Sequence, residues 1–231
     1  RVGHLGPAQA DFNVLGKVSP VADVATLDYK LNSGQYQPLT IGPDFLRLAA
    51  AGDFNADIPL VLLDVGPNVV TVRAVGTTGQ VTTATMTVTL ETGGDYTLPA
   101  TIAWNGVTDP QDVGQYVDGL WQLDNGALDV VEPGYDRIFL IGNETWQDYE
   151  ALVPITINNV TRSGAGLGIL MRFTGHIVGG HRNWPVTQPK MGYQPFGAIG
   201  WLRWVNGATV DPRIQFYPGD SDFAKTEWDI S

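Results

Sequence analysis

The sequence predicts an all-β protein, on three observations. Apolar and polar residues alternate with a period of two along several segments. Turn signals such as Asn-Gly separate those segments at short intervals. No stretch repeats its apolar residues with the 3.6-residue period of a helix. Composition agrees: the 231-residue chain is 43% hydrophobic and 16% charged, with 28 Gly and 15 Pro to supply turns.

The clearest alternation lies in residues 12–90. A first strand is predicted at 12–15. Ala25, Leu27, Tyr29 and Leu31 then alternate with Thr26, Asp28, Lys30 and Asn32, and Asn32-Ser33-Gly34 turns the chain. Strands follow at 45–48 and 54–60. Val70, Val72 and Ala74 alternate with Thr71 and Arg73, and a hairpin at 76–79 leads into Ala84, Met86, Val88 and Leu90, with Thr at each position between. About seven strands in roughly 80 residues is the count of an immunoglobulin-like sandwich. The small, polar stretch 91–95 is a joint, which gives domains at 1–92 and 93–231.

Beyond the joint the texture changes, and all seven Trp follow residue 100. Strands are predicted at 120–123 and 127–131 around the Asp124-Asn125-Gly126 turn, then at 137–141 and 146–153. Further strands are predicted at 155–157, 166–173, 198–205 and 213–217. The loop 175–196 holds three Pro, two His and one Trp, and a loop of that length usually serves function.

Two resemblances follow from these residues. The run 29–34, the run 66–74, Gly79 and the closing Thr-Val repeat resemble bacterial Ig-like domains of the cadherin and fibronectin type. Such domains are often spacers, so this implies a fold more than a function. Trp121 with Asn125-Gly126-Ala127-Leu128, the run from Gly142-Asn143 to Trp146-Gln147-Asp148-Tyr149-Glu150, and the runs 168–173 and 197–204 resemble the concanavalin A-like lectin/glucanase jelly roll, in its LamG-like branch. The resemblance covers about half the chain. A jelly roll of that kind has about a dozen strands, so the second domain reads as C-terminally incomplete, finished by residues outside this chain or by another chain.

The enzyme branch of that family carries clustered acids written E-x-D-x-x-E. Here the nearest pattern is 127–132, with Ala127 in place of the first acid and only Asp129 and Glu132 present. Retaining glycosidases need paired carboxyls about 5–5.5 Å apart, and no such set is read, so no catalytic residue is assigned. Sugar rings stack on flat Trp or Tyr beside hydrogen-bonding groups. Arg172, His176, Trp184, Tyr193, Trp201 and Arg203 are the candidate ligand-binding residues. Strand alternation puts Trp201 and Arg203 on one face, Leu202 and Trp204 on the other.

Jelly-roll lectins often carry a structural Ca²⁺, which is the one cofactor implied. Asp53, Asn55 and Asp57 stand as D-x-N-x-D, a calcium-loop pattern that lacks the Gly and bidentate Glu of the full motif. Asp220 and Asp222, after Pro218-Gly219, form a second acidic loop.

The formal net charge of −11 lacks the Lys/Arg footprint that nucleic acid requires. There is no cysteine, which excludes disulfides, thiolate metal sites and Cys nucleophiles. No run of 18 apolar residues exists to span a membrane. The chain opens on Arg1, which fits either a removed export leader or a fragment. These readings converge on a non-catalytic, extracellular or cell-surface protein that recognises glycan or polysaccharide. The alternatives are a structural subunit of a surface or filamentous assembly completed by another chain or further copies, and a glycoside hydrolase or polysaccharide lyase.

Overall fold

The computed structural model describes the chain apart from Phe45, Asp136, residues 161–162, 177–188, 191–196, 207–210, 220–224 and Ser231. Among the described residues the protein is all-β. Its strands form several antiparallel sheets, joined by short 3-10 turns and loops with no α-helix. No described helix is long and apolar enough to cross a membrane. The chain divides into two compact units: Arg1–Thr145 with His176–Gly192, and Trp146–Gly175 with Tyr193–Ser231. The polar joint at 91–95 falls inside the first unit.

The first unit is sandwich-like at its core. Strand β1 (Asp11–Lys17) pairs with β4 (Asp53–Pro59), and β2 (Val24–Leu31), β3 (Gln37–Pro38), β5 (Gly66–Gly76) and β6 (Val81–Leu90) form a sheet in the order β3-β2-β5-β6. Alternation decides what meets between the two sheets. Phe12, Val14, Phe54, Ala56 and Ile58 turn inward from one, and Leu27, Tyr29, Val70 and Val88 from the other. Each such side chain, fully buried, contributes roughly 1.5–3 kcal/mol. Gly16 stands opposite Phe54 across the β1/β4 ladder, and a Cβ there would meet the Phe54 ring at 2.4 Å. The apolar alternation of β6 is only partly used: Val88 is buried, whereas Ala84 and Met86 are exposed.

Strand β4 is buried on both faces, which is unusual for a strand carrying two Asp and one Asn. Its second face, shared with Asp11 and Asn13 of β1, is buried too, and there Asp57 and Asp11 are met by Arg47 and Lys190. Farther along the same unit, β7 (Gln115–Tyr116) pairs with β10 (Phe139–Leu140), and β8 (Trp121–Asp124) with β9 (Ala127–Val130). The β8/β9 hairpin turns on Asn125 (φ 48°) and Gly126 (φ 76°). Positive φ at both central positions is the twist-matched two-residue turn that the Asn-Gly signal predicts. Phe139 gathers the rings of Trp104, Tyr116 and Trp121 at 5.5–6.1 Å.

The second unit is built on one four-stranded antiparallel meander: β11 (Gly166–Met171), β12 (Ala198–Trp204), β13 (Pro212–Tyr217) and β14 (Thr226–Asp229).

Three predicted strands are corrected. Residues 146–153 and 155–157 form no strand: residues 151–159 are exposed, Asp148 has a left-handed φ of 50°, and Trp146 places its ring edge-on to Tyr149 at 5.7 Å. A strand persists where a neighbour satisfies its backbone groups, and along 151–159 no ladder forms. Nor do residues 46–48 form a strand, while Phe45 of that predicted segment lies outside the described residues. Asp44 Oδ1 accepts the N–H groups of Leu46 (2.7 Å) and Leu48 (2.9 Å), so an Asx-type turn takes the place of extended chain.

Candidate functional site

One face of the β11–β14 sheet carries Trp201, Arg203, Arg213, Gln215 and Glu227 beside buried Ile199 and Tyr217, and the other carries Leu202, Trp204, Ile214, Phe216 and Trp228. Register sets them in rows. Gly168, Trp201, Gln215 and Glu227 form one row across the four strands, and Gly166, Arg203, Arg213 and Asp229 form the next. Period-two alternation places both rows on the same side.

Trp201 is fixed from several directions. Its Nε1 donates to Gln215 Oε1 at 2.9 Å, the Arg203 guanidinium lies 4.9 Å from its ring, and Tyr217 packs edge-on at 6.0 Å. Gly168 faces it across the β11/β12 ladder, where a Cβ would approach Trp201 Cα at 2.5 Å and Gly200 O at 2.2 Å. The glycine therefore lets the β11 backbone approach the Gly200–Trp201 main chain this closely.

Gln215 is fully buried and relays between the indole and an ion-pair network. Its Nε2 donates to Glu227 Oε2. Arg213 reaches Asp211 at 2.6 Å, Glu227 at 2.9 Å and Asp229 at 3.7 Å, and Lys225 reaches Glu227 at 2.6 Å. The hydrogen bond from Lys225, then those from Gln215 and Arg213, hold the Glu227 carboxyl down at about 2, against partial burial that pushes it up. The Arg213 guanidinium is raised further above its ordinary range, first by its bond to Asp211. The face thus pairs an anchored indole with permanently charged donors and acceptors.

The predicted ligand-binding residues divide. Trp201 and Arg203 meet as predicted, on one face of β12. Arg172 is exposed just after β11, with a φ of 60° and its side chain packed over Gly197. His176 is buried and belongs to the first unit, whereas Arg172, Trp201 and Arg203 belong to the second. Trp184 and Tyr193 lie outside the described residues.

The predicted calcium pattern is a strand, not a loop. Asp53, Asn55 and Asp57 share one face of β4. Arg47 Nη1 lies 3.1 and 2.9 Å from the two Asp57 oxygens, and the Lys190 N–H donates to Asp57 Oδ2 at 2.6 Å. Asp53 pairs with Lys17 at 3.6 Å and accepts the Ala50 N–H. A guanidinium already seated on the carboxylate does not fit a dication at the same oxygens. No group of three or more His, Asp or Glu among the described residues is arranged to hold a metal ion. Asp220 and Asp222 lie outside the described residues.

The first unit holds a buried charge network that no local motif announces. Arg47 and Asp57 have no exposed side-chain surface. Arg47 also donates to Val117 O (3.2 Å) and Lys190 O (2.5 Å), and its Nε lies 3.5 Å from Asp118 Oδ2. Arg137 Nη1 reaches the same Asp118 oxygen at 2.9 Å, and Lys190 Nζ reaches Asp11 at 2.8 Å. Arg137 threads past Gly119 and Gly134, where a Cβ would meet its side chain at 2.2 and 2.6 Å. Burial lifts the Asp118 carboxyl to about 6, although Arg47, Arg137 and the Gly119 N–H pull the other way. Burial lifts Asp57 as well. The network's members lie up to 179 residues apart in sequence, so spacing could not reveal them.

Comparison of the chain with protein-family models, with curated proteins and with solved structures found no match in any of the three.

Proposed function

We propose that this is a non-catalytic, extracellular carbohydrate-binding protein, an Ig-like spacer followed by a jelly-roll-type module that grips glycan with the polar face of β12–β14. One observation carries the reading: the Trp201 indole, stacked with Arg203, stands in a row with charged and amide side chains on one sheet face. A rigid half-exposed ring suits the C–H face of a sugar, and adjacent guanidinium and carboxylate groups suit its hydroxyls. The non-catalytic part rests on the sequence, where the clustered acids of the glucanase branch are not found. Extracellular placement follows from the fold resemblance alone.

The test is a polysaccharide pull-down and a glycan array with the full chain, alongside Trp201→Ala and Arg203→Ala. The reading expects at least one retained glycan and about ten-fold weaker binding for each variant, with Val61→Ser unchanged. Absence of binding across a broad panel, or retention that ignores both variants, overturns it.

A second reading, a structural subunit of a surface assembly, is favoured by the opposite face of the same sheet. Ile214, Phe216 and Trp228 are 45, 39 and 51% exposed there, beside half-buried Leu167, Ile169 and Leu202. Contiguous apolar surface of this kind marks an interaction site. Assembly through it predicts that Phe216→Ser with Trp228→Ser lowers the native mass. A native mass equal to one chain removes this reading.

A further inference from the structure

Strand β6 is an edge without protection. It pairs with β5 through ten residue pairs, Gly66↔Leu90 to Val75↔Val81, with no register shift. On its other side no further strand stands among the described residues. The chain's own Val2 covers only the far end, through an isolated bridge to Leu90. Residues Val81 to Thr87 are exposed. Natural edge strands are blunted by Lys, Pro, bulges or brevity, and VTTATMTVTL has none of these.

Charge points to what lies against it. The chain carries a net charge of −11, so two copies repel over most of their surface. No charged residue stands between Arg73 and Glu91. The free edge is thus a place where a second acidic copy approaches without like-charge contact.

We propose that β6 pairs antiparallel with β6 of a second copy, about a two-fold axis through Thr85, joining the two four-stranded sheets into one of eight strands. An axis perpendicular to the sheet keeps inner faces with inner faces, so residues pair with their own parity. Thr85 then faces Thr85 of the second copy, and Thr83 faces Thr87. Thr–Thr pairs are among the favourable cross-strand partners. On the inner side Ala84 faces Met86, a small residue against a large one on both sides of the axis. Ala84 and Met86 already border an apolar cavity of about 490 Å³ walled by Val14, Leu27, Phe54 and Val72. The second copy's inner row extends that wall. The inference rests on the first unit alone and on neither functional reading.

The native mass of the full chain is measured by sedimentation and light scattering over a concentration series. A concentration-dependent dimer is expected, and Thr85→Glu, which sets two carboxylates face to face, weakens it about ten-fold or more. A mass of one chain throughout, or a dimer indifferent to Thr85→Glu, overturns the proposal. Register is tested with single cysteines in this cysteine-free chain. Under diamide, Thr85→Cys cross-links, because directly opposite Cβ atoms lie about 5 Å apart. Thr83→Cys, equally exposed, does not cross-link to itself, because its twin lies roughly 13 Å along the strand. An equimolar mixture of Thr83→Cys and Thr87→Cys does cross-link. Equal cross-linking at 83 and 85, or none at 85, refutes the pairing.

Discussion

Arg47 Nη1 stands 2.9 and 3.1 Å from the two carboxylate oxygens of Asp57, and neither side chain has any exposed surface. An ion pair this deep is weak evidence of net stabilisation, because desolvation opposes the Coulomb attraction. Its removal from one side is a different matter. Arg47→Met leaves Asp57 and Asp118 buried without the guanidinium between them and is expected to lower stability by about 3–5 kcal/mol. Urea denaturation followed by tryptophan fluorescence measures this, and a loss under about 1 kcal/mol shows that the pair is not what holds the polar face closed.

The same network sets a pH dependence. Asp118 is lifted from 3.8 to about 6 by burial, opposed by Arg47, Arg137 and the Gly119 N–H and reinforced by Asp57. The folded state therefore prefers the protonated form. That contribution is fully present below pH 3.8 and is lost as pH rises through about 6. At neutral pH the ionised group costs up to about 3 kcal/mol relative to acid. The difference in stability between the parent and Asp118→Asn, taken from pH 4 to 7, isolates it. The parent should lose ground against the variant as pH rises across that interval. A flat difference shows that Asp118 titrates at its ordinary value.

Glu227 behaves in the opposite sense. Its carboxyl, held down first by Lys225, contributes stability above its ordinary value of 4.5 that is lost as pH falls through about 2. The network around Trp201 should keep its geometry to well below pH 4. Tryptophan emission and near-ultraviolet dichroism should hold steady across that range in the parent. Both should shift at higher pH in Lys225→Ala, where Glu227 has lost its first partner.

Gly168 opposite Trp201 gives a packing prediction. Alanine at 168 brings a methyl group to 2.2 Å from Gly200 O and 2.5 Å from Trp201 Cα. Backbone atoms cannot rotate away as a side chain can, so the ladder must shift, at about 1–3 kcal/mol. If glycan binding depends on the Trp201 row, affinity should fall together with stability, whereas Gly106→Ala, where a Cβ meets nothing within 4 Å, should spare binding.

Gln215 is the point where aromatic and charged parts of that row connect. Gln215→Leu keeps the volume and removes both hydrogen bonds, leaving the indole N–H without its acceptor. The expected loss is about 1–3 kcal/mol. Gln215→Glu retains an acceptor for the indole but sets a second carboxylate against Glu227, so it should be worse at neutral pH than at pH 4.

How much of this was legible in the sequence depends on the range of the interaction. The alternation around Leu27 and Tyr29 reports a buried face because a period of two is a local property of a strand. Asn125-Gly126 announces its turn because the backbone conformation is set by those two residues. The pairing of Trp201 with Arg203 was legible for the same reason. The polar face of β4 was not. Asp53, Asn55 and Asp57 alternate correctly for a strand, but their charges suggested solvent or metal. Only Arg47 and Lys190, which reach Asp57 from other segments, show why that carboxylate is buried. Trp146 and Tyr149 misled in the other direction: aromatic residues favour strands only where a neighbouring strand receives them.

Lys190 gives the first unit a constraint in time as well as in space. It holds Asp11 and Asp57 from 179 and 133 residues further along the chain. A ribosome adding about 5–20 residues per second makes Asp11 roughly ten to forty seconds before Lys190 exists. Throughout that interval Asp11 lacks the Lys190 ammonium and Asp57 lacks the Lys190 backbone N–H. The apolar interior between the sheets depends on residues already made and can form at once. The nascent chain therefore has its apolar core and the Arg47–Asp57 pair available early and the Lys190–Asp11 pair only late, and a chain ending before Lys190 lacks that last closure.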